Sequence, residues 1–128
     1  MKPQLLFFFG VLFCFSLHGQ TQFEFNSNCK AAHEAIVGLQ FKKAKQLLAQ
    51  ERKANAKNLI PNYLENYIDF LSLIISEEKL RFDVLKANKA KRLDLLEKGD
   101  KTSPFYLLTQ AEINLQWAFV RIKFNEYL

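Results

Sequence analysis

Cys29 and His33 stand four residues apart, with Glu34 alongside. On a helix that spacing puts the thiol and the imidazole on one face, which is half of a zinc site. Zinc takes three or four protein ligands, and the other histidine, His18, lies in a segment expected to be removed. His33-Glu34 also opens like the His-Glu-x-x-His helix of metalloproteases, but Val37 occupies the second histidine position and the motif fails. Two ligands do not close a site, so neither a metal nor a cofactor is expected. No nucleophile is paired with a base either, because residues 20–128 hold one histidine and no glycine-rich phosphate loop. Glu77-Glu78 and Asp94-Glu97 lie among lysines in the pattern of helix ion pairs. The expectation is a protein that is not an enzyme. Tyr63, Tyr67, Phe70, Tyr106, Trp117 and Phe119 could line a peptide groove, although aromatics at helical spacing more often form core.

The N-terminus carries an address. Met1-Lys2-Pro3-Gln4 is a short positive start, Leu5 to Leu17 is an apolar run, and His18 to Gln22 is polar. That order is the pattern of a secretory signal. An apolar helix of this length spans roughly 20 Å, short of the ~30 Å hydrocarbon core, so cleavage is expected rather than anchoring. The cut falls after Gly19, leaving a protein of the periplasm or the medium that meets the membrane only in transit. Cys14 lacks the small neighbours of a lipidation site, which leaves Cys29 as the one cysteine of the mature chain, half-buried and unpaired. Lys2 is the one charge in residues 1–19, so the remainder carries 17 basic against 13 acidic residues, a net of +4. Those lysines are dispersed and lie apart from the aromatics, whereas a nucleic-acid reader concentrates both, so no nucleic-acid partner is expected.

Helical periodicity accounts for nearly all of residues 27–128, after a polar lead-in at 20–26 that reads as a loosely packed tether. The first segment runs from Ser27 to Gln40 behind an Asn26 or Ser27 cap, and the second from Phe41 to Ala54. Glu51 falls in the middle of the second segment's apolar arc. An unpaired buried carboxylate would cost several kcal/mol, so a specific donor is expected, from a tyrosine hydroxyl or an arginine. The third segment begins at Pro61 and is the central packing helix, with Tyr63, Leu64, Tyr67, Ile68, Phe70, Leu71, Ile74 and Ile75 on its wide apolar arc. Ser76 caps a long fourth segment with a candidate break near Ala87-Asn88 and a left-handed stop at Gly99. Ser103-Pro104 opens the fifth, which reaches Phe124 and is apolar on two opposite stripes. Leu107, Leu108, Ala111, Leu115, Ala118, Phe119 and Ile122 form one, and Tyr106, Ile113, Trp117, Val120 and Phe124 form the other. A helix apolar on two faces is covered on two. The second stripe is taken as the uncovered one and hence as the candidate partner-facing surface.

Gly38-Leu39-Gln40-Phe41-Lys42-Lys43-Ala44, followed by Leu48, resembles the middle of a tetratricopeptide (TPR) repeat. Phe41 takes the aromatic position after the turn, Ala44 the small position that lets paired helices approach, and Leu48 the later bulky one. Trp117-Ala118 followed by Asn125-Glu126-Tyr127 looks like the same element entered again. The sequence departs from the repeat at Glu51, where a second alanine is usual, and at Ala56, where a proline closes the repeat. The wider chain is similar to the N-terminal part of exported bacterial TPR-containing proteins. The resemblance implies an all-α fold of antiparallel helical hairpins in a TPR-like α-solenoid over residues 27–128, incomplete at the C-terminus. It implies a protein-interaction scaffold whose partner is a protein, a peptide or further helical repeats of the same chain. Two other readings are an input domain of an envelope sensor or regulator and a small secreted protein that dimerises through its last helix.

Overall fold

A computed structural model describes residues 21–127, and these are all-helical, without a strand. The expected signal segment, its cleavage after Gly19, Cys14 and His18 lie outside the described residues. Six helices follow one another: α1 (Ser27–Val37), α2 (Phe41–Ala54), α3 (Ile60–Ser76), α4 (Lys79–Leu85), α5 (Asn88–Leu96) and α6 (Pro104–Lys123). The sixth arises because the long fourth segment breaks at Lys86-Ala87, beside the expected place. None of them is long and apolar enough to cross a membrane.

The helix ends follow from local chemistry, with two corrections. Asn26 caps α1 by accepting from the Cys29 N–H at 3.1 Å, and Ser103 caps α6 by accepting from the Phe105 N–H at 3.3 Å. Pro61 and Pro104 each sit in a first turn, where a missing N–H is harmless. α1 stops at Val37 rather than Gln40, because the chain turns with Leu39 in the left-handed region at φ 58°. Ser76 does not cap α4. It is the last residue of α3, and the left-handed Glu77 (φ 55°) ends that helix.

α1 and α2 form a hairpin whose alanines, Ala32, Ala35 and Ala44, are all buried and permit close approach. α3 packs on both, and α5 and α6 pack on α3. Ile36, Leu48, Leu64, Ile68, Leu96 and Ile113 fill the space between them.

The lead-in is not a loose tether. Asn58 donates to the Glu24 carbonyl at 2.8 Å and accepts from the Glu24 N–H at 3.1 Å, while the Leu59 N–H donates to the Gln22 carbonyl at 2.7 Å. These bonds hold Phe23 in the interior against Gly99. A Cβ on Gly99 would lie 2.4 Å from Phe23 Cε2 and 2.7 Å from Leu59 Cδ1. Gly99 is therefore required by close approach and not by a left-handed backbone, since no glycine among the described residues has positive φ.

The faces of α6 are the reverse of the expectation. Ile113, Trp117 and Val120 are buried, and Tyr106 and Phe124 are half-buried against the core. The stripe of Leu107, Leu108, Leu115, Phe119 and Ile122 is the open one, with Leu107 72% exposed. Two reasons decide the choice. Trp117 needs a hydrogen-bond partner when buried and finds one on α3, and Phe124 stacks on the buried Phe82 at a centroid distance of 4.7 Å. Lys123 pairs with Glu77, and Glu126 with Lys79 at 2.9 Å, which ties the end of α6 to the α3–α4 corner.

Candidate functional site

A cleft of about 280 Å³ opens across α1, α3 and α6. His33 comes from α1, Tyr63, Tyr67 and Phe70 from successive turns of α3, and Glu112, Leu115, Gln116 and Phe119 from α6. The three- and four-residue spacing along α3 stacks its rings on one face. Tyr67 lies between neighbours, with centroids 5.7 Å from His33 and 6.1 Å from Phe70. Phe25 of the lead-in backs His33 at 6.0 Å, so the fixed N-terminal segment also sets one wall.

The walls are largely aromatic, with polar groups of His33, Tyr63, Tyr67, Glu112 and Gln116 among them. Burial, then the negative charge of Glu112, then Tyr67 push the Tyr63 phenol up to about 12. Tyr63 is thus a neutral hydrogen-bond donor across the physiological range, and the Glu112 carboxylate acts on the interior of the cleft. Such a site suits a side chain with an apolar stem and a cationic end, held over ring faces and drawn by a carboxylate. Of the aromatics considered from sequence, Tyr63, Tyr67, Phe70 and Phe119 meet here. Tyr106 and Trp117 do not. Tyr106 packs edge-on to Phe23 at 6.4 Å, and Trp117 is 2% exposed.

The candidate surface of Tyr106, Ile113, Trp117, Val120 and Phe124 is accordingly interior or half-interior, and partners do not reach its central residues. What holds it there is a polar network that the residue pattern did not announce. Asn66, fully buried on α3, donates to Gln116 Oε1 at 2.7 Å. Its Oδ1 accepts from Trp117 Nε1 at 2.8 Å and from Arg92 Nη1 at 3.2 Å. Arg92 in turn pairs with Asp69 at 2.7 Å, and Asn88 donates to the same carboxylate at 3.0 Å. One side chain therefore joins α3, α5 and α6 behind the cleft.

A second buried network surrounds Glu51, which is 1% exposed and has specific donors as expected. They are asparagines, not a tyrosine or an arginine. Asn26 and Asn58 donate to Oε1 at 2.8 and 2.9 Å, and Asn28 donates to Oε2 at 3.1 Å. Burial pushes this carboxyl up, but the three amide bonds together outweigh it and hold it below the usual glutamate value. A cluster of asparagines just before and within the first turn of α1, facing an acid on the next helix, was the available signal.

Cys29 and His33 do not act together. Cys29 is fully buried rather than half-buried, and its Sγ accepts from Asn58 Nδ2 at 3.7 Å, while His33 faces the cleft. Burial, followed by the nearby Glu51 charge, pushes the thiol up to about 12. A thiol so held is protonated at neutral pH and is neither a nucleophile nor a ready metal ligand. Among the described residues no group of three or more His, Cys, Asp or Glu could hold a metal ion. No protein-family model matches the chain, and no curated protein or solved structure shows significant similarity to it.

Proposed function

We propose that this chain is an exported, non-catalytic scaffold of TPR-like helical hairpins that grips a peptide segment of a protein partner in the cleft across α1, α3 and α6. The observation that carries the reading is that alternate helices supply the cleft. α1, α3 and α6 line it, while α2, α4 and α5 contribute no residue to it. Stacked hairpins produce that arrangement, because the first helix of each hairpin faces the same side. The TPR-like stretch from Gly38 to Leu48 and the secretory pattern at the N-terminus support the architecture and the address.

The chemistry of the walls narrows the partner. Ring faces of Tyr67 and Phe70 and the apolar Leu115 and Phe119 favour an aliphatic or aromatic residue, and Glu112 favours a neighbouring lysine or arginine. Random-peptide display against the purified protein tests this. Selected peptides should pair a basic residue with a large apolar one, and Tyr67→Ala and Glu112→Lys should each weaken them about tenfold or more, roughly 1.4 kcal/mol. Peptides that bind both variants as tightly as the parent would remove the cleft from consideration.

A further inference from the structure

Lysines are spread along the whole chain, but the net charge is not. Residues 35–64 hold Lys42, Lys43, Lys45, Arg52, Lys53 and Lys57 and a single acid, Glu51, which is buried. That stretch carries +5, whereas the rest of residues 20–128 holds 11 basic against 12 acidic residues. Arg52 pairs with Glu65 at 2.8 Å. The five lysines are all exposed, and among the described residues none of them lies within ion-pair distance of an acid. Lys42, Gln46, Ala49 and Lys53 follow at intervals of four, three and four residues. They therefore share the face of α2 opposite the buried Ala44, Leu48 and Glu51, along a line about 16 Å long that Lys45 flanks. A solvated helix face interleaves acids with its lysines at this spacing, and α2 has no exposed acid. Glu34, on α1, stands four residues from Lys30 and is matched by it.

The turn that leads into α2 departs from local preference in three ways. Val37 and Leu39 are 57% and 53% exposed on either side of Gly38. Leu39 holds the left-handed conformation at φ 58°, while Gly38, which could take it without strain, sits at φ −78°. Lys42 and Lys43 occupy the first turn of α2, where the helix dipole disfavours cations, and neither an acid nor a side-chain cap offsets them there. Departures of this kind gather at functional sites. Together they set two apolar side chains in water at the end of a basic face, which is the composition that binds at a lipid headgroup boundary.

We propose that the outward face of α2 and the α1–α2 turn dock on an anionic lipid membrane. The lysines lie over the phosphate headgroups, and Val37 and Leu39 enter the apolar edge beneath them. A nucleic acid or an acidic peptide would leave both apolar side chains in water. The face also has no aromatic for base stacking, since Phe41 packs against the core. α2 contributes no residue to the cleft, so the inference is independent of what the cleft binds. Membrane contact then outlasts export, although no described helix is long and apolar enough to cross the bilayer.

The test uses protein expressed from the whole reading frame and purified as its bacterial host processes it. Sedimentation with vesicles should show binding to phosphatidylcholine that contains about one-third phosphatidylglycerol, little binding to phosphatidylcholine alone, and release as salt rises. Each lysine near an anionic surface strengthens binding about fivefold, so Lys42→Gln with Lys53→Gln should weaken it roughly 25-fold. Leu39→Asn keeps a residue that tolerates the left-handed turn but removes the apolar group, and should weaken binding several-fold. All three positions are exposed, so helical circular dichroism should not change. Equal binding to both lipid mixtures, or to neither, overturns the proposal, and so does a lysine variant that binds as tightly as the parent. Soluble polyglutamate serves as the competing anion. If it binds the lysine face while the vesicles do not, an acidic chain is the partner and the membrane is not.

Discussion

The indole N–H of Trp117 donates to the Oδ1 of Asn66 across 2.8 Å, inside a core where both residues are closed to water. Trp117 lies 51 residues from Asn66, so this bond fixes which way α6 is turned over α3. Asn66→Ala removes the acceptor of Trp117 and Arg92 and the donor of Gln116 in one step. It should destabilise by about 2–4 kcal/mol in urea denaturation, because several buried polar groups lose their partners together. Trp117→Phe removes one donor and some packing and should cost less, about 1–3 kcal/mol. The double variant should lose less than the two losses added, since both act on one network.

Stability should depend on pH through Glu51. Its folded-state value lies below the usual one because three asparagine amides favour the charged form. The stabilisation is therefore complete above the ordinary glutamate value of 4.5 and is lost as pH falls through the folded value. Glu51→Gln should weaken the protein at pH 7 and flatten the acid limb of its stability curve. A curve of the same shape in parent and variant would mean that the carboxylate is not the group being titrated.

Gly99→Ala should destabilise by about 1–3 kcal/mol, the range for forcing an extra methyl group into a filled interior. The added Cβ meets Phe23 and Leu59, so Phe23→Leu in the same chain should recover part of the loss. Thermal melts of the two single variants and the double variant measure it. Equal losses with and without the Phe23 change would place the strain in the backbone.

Cys29 should resist alkylation in the native protein at pH 8 and react fully in denaturant. Burial beside Glu51 keeps the thiol protonated, with its value near 12. Rapid native labelling, read by mass spectrometry, would show that the region around α1 opens easily.

Much of the helical order was legible in the sequence, because capping and proline chemistry are local. α2 falls at Phe41–Ala54 as read, and α6 starts behind Ser103-Pro104 as read. Glu51 was recognisable as a buried acid from its place in an apolar arc. What could not be read was a matter of contacts across the chain. A helical wheel gives α6 two apolar stripes but does not say which one meets α3, since that depends on Asn66 finding Trp117 and on Phe82 finding Phe124. The role of Gly99 was likewise hidden, because Phe23 arrives from the far end of the sequence. The cleft was legible only in part. Tyr63, Tyr67 and Phe70 share a face by spacing alone, whereas His33 and Glu112 join them only through the packing of α1 and α6 on α3.

The orientation of α6 over α3 sets both the wall of the cleft and the apolar face turned outward. Trp117 is the one tryptophan in the chain, so its emission reports this site without interference. Trp117 should give blue-shifted fluorescence that acrylamide quenches poorly in the native protein, with a red shift and ready quenching in urea. Ala118→Glu on the opposite face should leave the native spectrum unchanged. Red-shifted, freely quenched emission from protein that is otherwise folded would mean that Trp117 faces water, and the assignment of both faces of α6 would be reversed.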